Sequence, residues 1–325
     1  MSGRTADRAA RVTSRVKARV AARVTVGCDI GGSTIKIVRL AGENVVDRVE
    51  RPSSRDASPA QFVDALTVAL RSLEADAIGV AVPGFLDARR RRIVRLSNLP
   101  RLDGLDLAAR LERRLGKSTV LDADSNAGAV GEARLGAARG AERVLYVTLG
   151  TGVGAALVAG GEPVRASRHT IGQIAWLPLA DDGTAGSRGR DRSVERRLCA
   201  AGIVRDFHRA GGARAARTAW AVSERARGGD PIARATFARV GSELAGVLRI
   251  LVPLWQPDVV VIGGGVAGAA DLFLPHLDRA LVRALPAGAR AHVDVRAAAL
   301  AQSAGAVGAA LLARDASLDA RRRTS

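Results

Sequence analysis

The sequence predicts an α/β protein built as two lobes, and three observations carry that prediction. Glycine-rich turns follow apolar, β-branched runs at residues 26–34, 148–154 and 261–265, the pattern of a chain leaving a buried strand. A strand, a glycine turn and a returning strand open each half, so the second half repeats the plan of the first. The chain of 325 residues also exceeds what one core usually holds, so two domains of ordinary size are expected.

In chain order, residues 1–23 carry seven basic groups against Asp7. They lack the apolar stretch and small-residue cleavage site of a secretory signal, and they are too short for a helix-turn-helix domain. They read as a disordered basic tail. Strands are expected at Val24 to Ile30, Ile35 to Leu40 and Val45 to Glu50, joined by hairpin-length turns. Ser58-Pro59 opens a helix with Phe62, Leu66, Ala69, Leu70 and Leu73 on one face. Ala77 to Val82 is a buried strand ending at Pro83-Gly84, and Arg89 to Arg92 reads as a solvated hairpin tip. A helix from Asp106 to Leu115 and a strand from Ser118 to Leu121 lead to Asp124. In the second half, strands are expected at Arg143 to Leu149, Ala155 to Val158, Val259 to Ile262 and Ala291 to Val295. Helices are expected at Glu195 to Ala210, Pro231 to Leu251, Ala269 to Leu285 and Gly305 to Ala313. A polar, Gly- and Arg-rich insertion runs from Arg165 to Arg192. The expected lobes are residues 24–122 with about 301–314, and 123–300, followed by a basic tail over 315–325.

Composition excludes several classes. Hydrophobic residues make up 47%, enough for packed cores, yet no apolar run reaches membrane-spanning length. Two cysteines, Cys28 and Cys199, are too few for a disulfide scaffold and fit a reducing cytoplasm. Nearly all of the 50 basic residues are Arg, as codon bias in a GC-rich genome would give. The two ends contribute +8 of the net +18; the remaining +10 favours anionic ligands such as nucleotides. No DNA-reading motif is present, so specific nucleic-acid recognition is not expected.

Three strand-to-loop elements of the phosphate- or nucleotide-binding kind surround one loop acid, Asp124, in Leu121-Asp122-Ala123-Asp124-Ser125-Asn126-Ala127. That arrangement points to a phosphotransferase with Asp124 as candidate base. The bland alternative for Asp124 is a helix N-cap, and for the glycines plain tight turns. The resemblance sharpens the reading. Asp29-Ile30-Gly31-Gly32-Ser33 resembles the first phosphate motif of the ROK family (repressors, uncharacterised frames and sugar kinases). Asn98-Leu99-Pro100 resembles its sugar-contact turn, and Asp124-Ser125-Asn126-Ala127 its catalytic Asp-Ala-Asn-Ala segment. Thr148 to Gly154 resembles the second phosphate motif, and Val261 to Gly265 the adenosine motif. Five segments in order, spread from Val24 to about Ala313, make the resemblance specific.

The resemblance implies an actin-like (ribonuclease H-like) ATPase fold with the nucleotide in a cleft between lobes. It implies ATP and Mg²⁺ as cofactors, a small-molecule sugar as substrate, a homodimer and a cytoplasmic location. Asp124 would take the proton of a sugar hydroxyl, which is a poor nucleophile unaided. Asp29 would orient Mg²⁺ through water. Gly31, Gly32, Gly150 and Gly152 would let backbone amides approach phosphate oxygens, with hydroxyl donors from Ser33, Thr148 and Thr151. Gly263, Gly264 and Gly265 would pack against adenine and ribose. Asn98, Asp124, Gln173, Trp176 and Glu195 would line the sugar site.

The sequence also departs from the family. The usual Gly-Glu-Ile-Gly-His segment is here Gly172-Gln173-Ile174-Ala175-Trp176, and the zinc-binding positions fall on Trp176, Gly186, Arg188 and Ser193. A tetrahedral zinc site needs Cys or His ligands, so no zinc is expected. Gln173 replaces a charged acceptor with an amide, and Trp176 offers a ring face. Arg168 and His169 stand where small residues are usual; His169 reads as a solvated loop residue or a substrate contact. A pocket altered at one end and intact at its catalytic end implies a changed substrate. The expected reaction is transfer of the γ-phosphate of ATP to a hydroxyl (O6) of a hexose or amino-hexose such as glucose or kanosamine. The alternatives are a sugar-binding regulator or pseudokinase, and a cyclitol kinase.

Overall fold

The computed structural model describes residues 24–96, 98–165, 172–179, 193–285 and 293–322. The alternating and apolar runs at the start form an antiparallel meander of β1 (Val24–Ile30), β2 (Thr34–Ala41) and β3 (Asn44–Pro52). Ser58 then caps α1 (Pro59–Arg71). Its hydroxyl accepts from the Gln61 amide while the Gln61 side chain accepts from the Ser58 amide, satisfying two helix-end donors at once. β4 (Ala77–Val82) is buried at every residue, as a central strand covered on both faces must be. β5 (Gly84–Leu86) and β6 (Ile93–Leu96) form a separate hairpin with the arginine run at its tip. α2 (Leu107–Leu115), capped by Asp106, leads into β7 (Ser118–Ala123) and α3 (Asp124–Leu135).

The second half repeats the meander with β8 (Arg143–Leu149), β9 (Val153–Ala159) and β10 (Glu162–Pro163). After α4 (Val194–Leu198), α5 (Ala200–Arg209), α6 (Ala219–Arg227) and α7 (Pro231–Trp255) come β11 (Val259–Gly263), α8 (Ala270–Ala284), β12 (Asp294–Ala297) and α9 (Ala304–Arg322). The first sheet has the order β3-β2-β1-β4-β7 and the second β10-β9-β8-β11-β12. In each, the meander sits on one side and parallel strands continue on the other, so the duplicated plan holds strand for strand.

Two compact units result: one reaches Gly131 and includes the segment from Gly305, and the other runs from Glu132 to Ala304. In the first, Phe62, Leu66, Leu107 and Leu111 pack on one face of the sheet. On α9, backbone meets backbone: a methyl on Gly27 would overlap the Ala306 carbonyl oxygen, and one on Gly79 that of Ala309. In the second unit, Phe207, Phe237, Leu244 and Phe273 join Leu145, Val147 and Val260 in one core.

Three elements differ from the sequence expectation. The helix expected over 195–210 breaks at Cys199, which is extended and caps α5 by accepting from the Gly202 amide through Sγ at 3.3 Å. The break frees the Ala200 amide to donate to the Gly150 carbonyl at 2.8 Å. The final helix continues to Arg322 instead of giving way to a basic tail at 315. Residues 309–322 contain neither Gly nor Pro, so nothing local stops it. Helix α6, capped by Thr218 accepting from the Ala221 amide at 3.1 Å, was not anticipated. Residues 1–23 and 291–292 lie outside the described residues.

Candidate active site

In the first unit the parallel strands β1, β4 and β7 end side by side, with Asp29 opposite Ala81 and Val82 opposite Ala123. Ligands of open α/β sheets sit beyond such carboxyl ends. Asp29 is the penultimate residue of β1, and Asp124 is the first residue of α3, directly after β7. Both side chains are half-buried. Burial, together with the neighbouring charge of Asp124, pushes the Asp29 carboxyl up to about 7; the Lys36 ammonium pulls it down. Burial likewise pushes Asp124 up to about 6, opposed by the Ser125 amide, which donates to its Oδ1 at 2.7 Å. Poor solvation makes both carboxylates harder to ionise, and for Asp29 the like charge of Asp124 adds to it.

The wall behind Asp29 is helix backbone: a side chain on Gly305 would meet Asp29 Oδ2. Asn98 packs over Gly32, its side-chain atoms 3.4 Å from where a Cβ would stand. The structure therefore brings Asp29, the Gly31–Ser33 turn, Asn98 and Asp124 together in one unit. Behind Asp124, the buried Asp122 accepts from the Asn126 side-chain amide at 2.8 Å. Lys36 and Gly305 were missed by sequence reasoning. Lys36 had a signal: in a hairpin turning at Gly31-Gly32 it stands directly across from Asp29, on the same face.

In the second unit, Thr148 on β8 stands opposite Gly263 on β11, which sets the glycine turn after β8 beside the glycine turn after β11. Gly264 has φ +81° and lies against the Leu149 carbonyl, a conformation that favours glycine. Gly265 has open space where a side chain would be. Glu195 on α4 accepts from the Val153 amide at 3.3 Å and sits over Gly152. Gln173 is exposed beside Gly172, whose carbonyl takes the Ala155 amide at 2.9 Å. Trp176 is 70% exposed.

Two of the four glycine amides assigned to phosphate are spent inside their own turns. Gly31 donates to the Thr34 carbonyl at 3.0 Å, and Gly150 to that of Gly152 at 2.9 Å. These two bonds close the turns. Of the four zinc positions, Trp176 is solvent-facing and Ser193 caps α4 by accepting from the Arg196 amide at 3.2 Å. Gly186, Arg188, Arg168 and His169 lie outside the described residues. Asp29 and Asp124 are hard oxygen donors of like charge with raised proton affinity, and such a pair fits a Mg²⁺ ion. Among the described residues no helix is long and apolar enough to cross a membrane.

The sequence model of the ROK family matches residues 25–316. The chain belongs to that family. It is 30% identical over 318 residues to a glucokinase of Halalkalibacterium halodurans, covering 89% of this chain and 94% of that one. A glucokinase of Streptomyces coelicolor is 27% identical over 312 residues, covering 90% and 98%. The crystal structure of a ROK family glucokinase from Streptomyces griseus, in complex with glucose and AMPPNP, superposes with a TM-score of 0.78 at 28% identity, covering 90% and 99%. This ROK family member has the actin-like α/β fold that its motifs imply, and it is a phosphotransferase with an alcohol group as acceptor.

Proposed function

We propose that this protein is an ATP-dependent sugar kinase that transfers the γ-phosphate to the O6 hydroxyl of a hexose or amino-hexose, glucose and kanosamine being the concrete candidates. The observation that carries the proposal is the recessed pair Asp29 and Asp124 at the carboxyl ends of parallel strands. Asp124 is the general base. A carboxyl raised to about 6 is ionised near neutral pH yet basic enough to accept a proton as phosphorus is attacked. Asn98 and Glu195 orient the sugar, while Gln173 and Trp176 set which sugar enters, the indole offering a ring face.

The amides of Gly32 and Gly152, with the hydroxyls of Ser33, Thr148 and Thr151, hold phosphate oxygens, and Gly263 to Gly265 lie along adenosine. Asp29 holds Mg²⁺ through water; when bound, that ion neutralises charge on the transferring phosphate. Zinc has no part in this reading, because none of the four corresponding side chains is Cys or His. The protein acts in the cytoplasm as a homodimer.

The test is ADP release over a panel of hexoses, amino sugars and cyclitols, with ATP and with polyphosphate as donors, repeated with Asp124→Asn. Turnover of a hexose with ATP, reduced about 10²- to 10⁴-fold in the variant, supports the proposal. Tight sugar binding without turnover by the wild type refutes it in favour of a sugar-sensing regulator.

A further inference from the structure

On the second unit, a recess of about 390 Å³ opens between α5 and the segment that precedes α6. Arg205, His208 and Arg209 reach it from α5, and Arg214 and Arg217 from the following segment. No carboxylate lines it. The acid beside it, Asp206, is already shared by Arg205 at 3.7 Å, Arg209 at 3.7 Å and Arg239 at 3.1 Å. Among the described residues Arg214 and Arg217 carry no ion pair or hydrogen bond; Arg205 donates from a terminal nitrogen to the Arg196 carbonyl, while its buried Nε–H has no hydrogen-bond acceptor and only the more distant Asp206 carboxylate facing it. Burial, with the charges of Arg196 and Arg209, draws the Arg205 guanidinium below its usual range, although Asp206 opposes this. Positive charge is thus held in excess at one place.

The recess is also built. The segment after α5 folds back over the helix: the Gly212 amide donates to the Phe207 carbonyl at 2.9 Å, and Gly212 lies flat against the Phe207 ring. His208 Nε2 meets the Ala216 carbonyl at 3.0 Å, which requires a proton on that nitrogen and leaves it the donor. These ties hold Arg214 and Arg217 across from Arg205 and Arg209 before any ligand arrives, so little ordering remains to be done on binding. Ala201 and Val204 supply an apolar patch in the same wall.

We propose that this recess is a second anion site, separate from the phosphate turns, that takes a phosphate-bearing small molecule. Guanidinium forks match phosphate oxygens in pairs, and four of them around one volume suit a group carrying two or more charges. The volume accommodates a small ligand, with the apolar patch against its carbon skeleton when the phosphate is an ester. Two sources share this chemistry, a sugar phosphate and a phosphate anhydride.

Isothermal titration tests it on the full chain saturated with AMPPNP and glucose. The probes are glucose 6-phosphate, inorganic pyrophosphate and sulfate at matched ionic strength. One equivalent of glucose 6-phosphate or of pyrophosphate is expected to bind, and the tighter of the two identifies the source. The double variant Arg214→Ser/Arg217→Ser is expected to weaken that binding at least about tenfold. A charge-matched control, Arg249→Ser/Arg283→Ser, removes two exposed arginines elsewhere on the same unit and is expected to leave it unchanged. No binding, sulfate binding as tightly as the phosphates, or equal weakening in the control each overturns the proposal. Failure of the kinase reading shows instead as absent turnover in the wild type, and the difference between the two double variants is untouched by it.

Discussion

Replacing Asp29 by Asn removes a charge that the folded chain holds at a cost, so the variant is expected to be more stable than the wild type while losing activity. Burial and the charge of Asp124 raise the Asp29 carboxyl from 3.8 to about 7. Three pK steps correspond to about 4 kcal/mol; because the side chain is only half-buried, solvent screening brings the expected figure to about 2 kcal/mol. The sign follows from linkage. The folded state prefers the protonated acid, so the penalty is complete above about pH 7, shrinks as pH falls, and is gone below the unfolded value near 4. The wild type, free of nucleotide and metal, therefore gains stability on acidification from about pH 8 to about pH 5, and Asp29→Asn gains less, losing the part that Asp29 contributes and keeping the part that the raised carboxyl of Asp124 contributes. Urea unfolding across that window, with m-values compared, measures both curves. A variant no more stable than the wild type at the alkaline end, or a stability gap that persists at the acid end, refutes the reasoning.

Asp124 carries the kinetic counterpart. With its carboxyl raised to about 6, kcat/KM for the sugar is expected to rise with pH through an acid limb near that value and to level off above it. A steady-state pH profile with a limb near the ordinary carboxylate value contradicts the assignment of Asp124 as base. Lys36→Met removes the ammonium that opposes the rise of Asp29. The acid-side gain in stability is then expected to grow by about 1 kcal/mol and its midpoint to move to higher pH, both read from the same urea series.

What the sequence made legible was local. Strands β1, β4 and β8 fall where runs of Val, Ile and Leu predict them, and Ser58, Asp106 and Asp230 cap the helices that follow. The candidate site was legible to the same depth: each motif sits on a strand end or a turn, as its composition requires. The break at Cys199 was hidden because 195–210 keeps a helical pattern through it. The interruption comes from a hydrogen bond to Gly150, far away in the chain. Register hid less than it could have, since pairing β1 with β2 around Gly31-Gly32 already sets Lys36 across from Asp29. The turn bonds of the Gly31 and Gly150 amides were hidden for another reason: a glycine-rich turn announces tight backbone, but not which of its donors the turn consumes.

The environment of Asp29 also explains why the end of the chain matters to chemistry at its beginning. Gly27, Gly79 and Gly308 stand where a methyl would strike backbone, the first two on α9 and the third at the Ala127 carbonyl, and Gly305 stands where one would strike the Asp29 carboxylate. Helix α9 can therefore lie directly on β1 and β4, and its first turn closes over the Asp29 carboxyl. A wall of backbone excludes water without the rotamer freedom of side chains, so the low polarity that raises Asp29 is built into helix placement. On this account the raised affinity of Asp29 for a proton and the glycine pattern of α9 are one feature. Glycine lets the helix approach, the approach strips solvent from the carboxylate, and a carboxylate so stripped beside Asp124 favours a cation in its place.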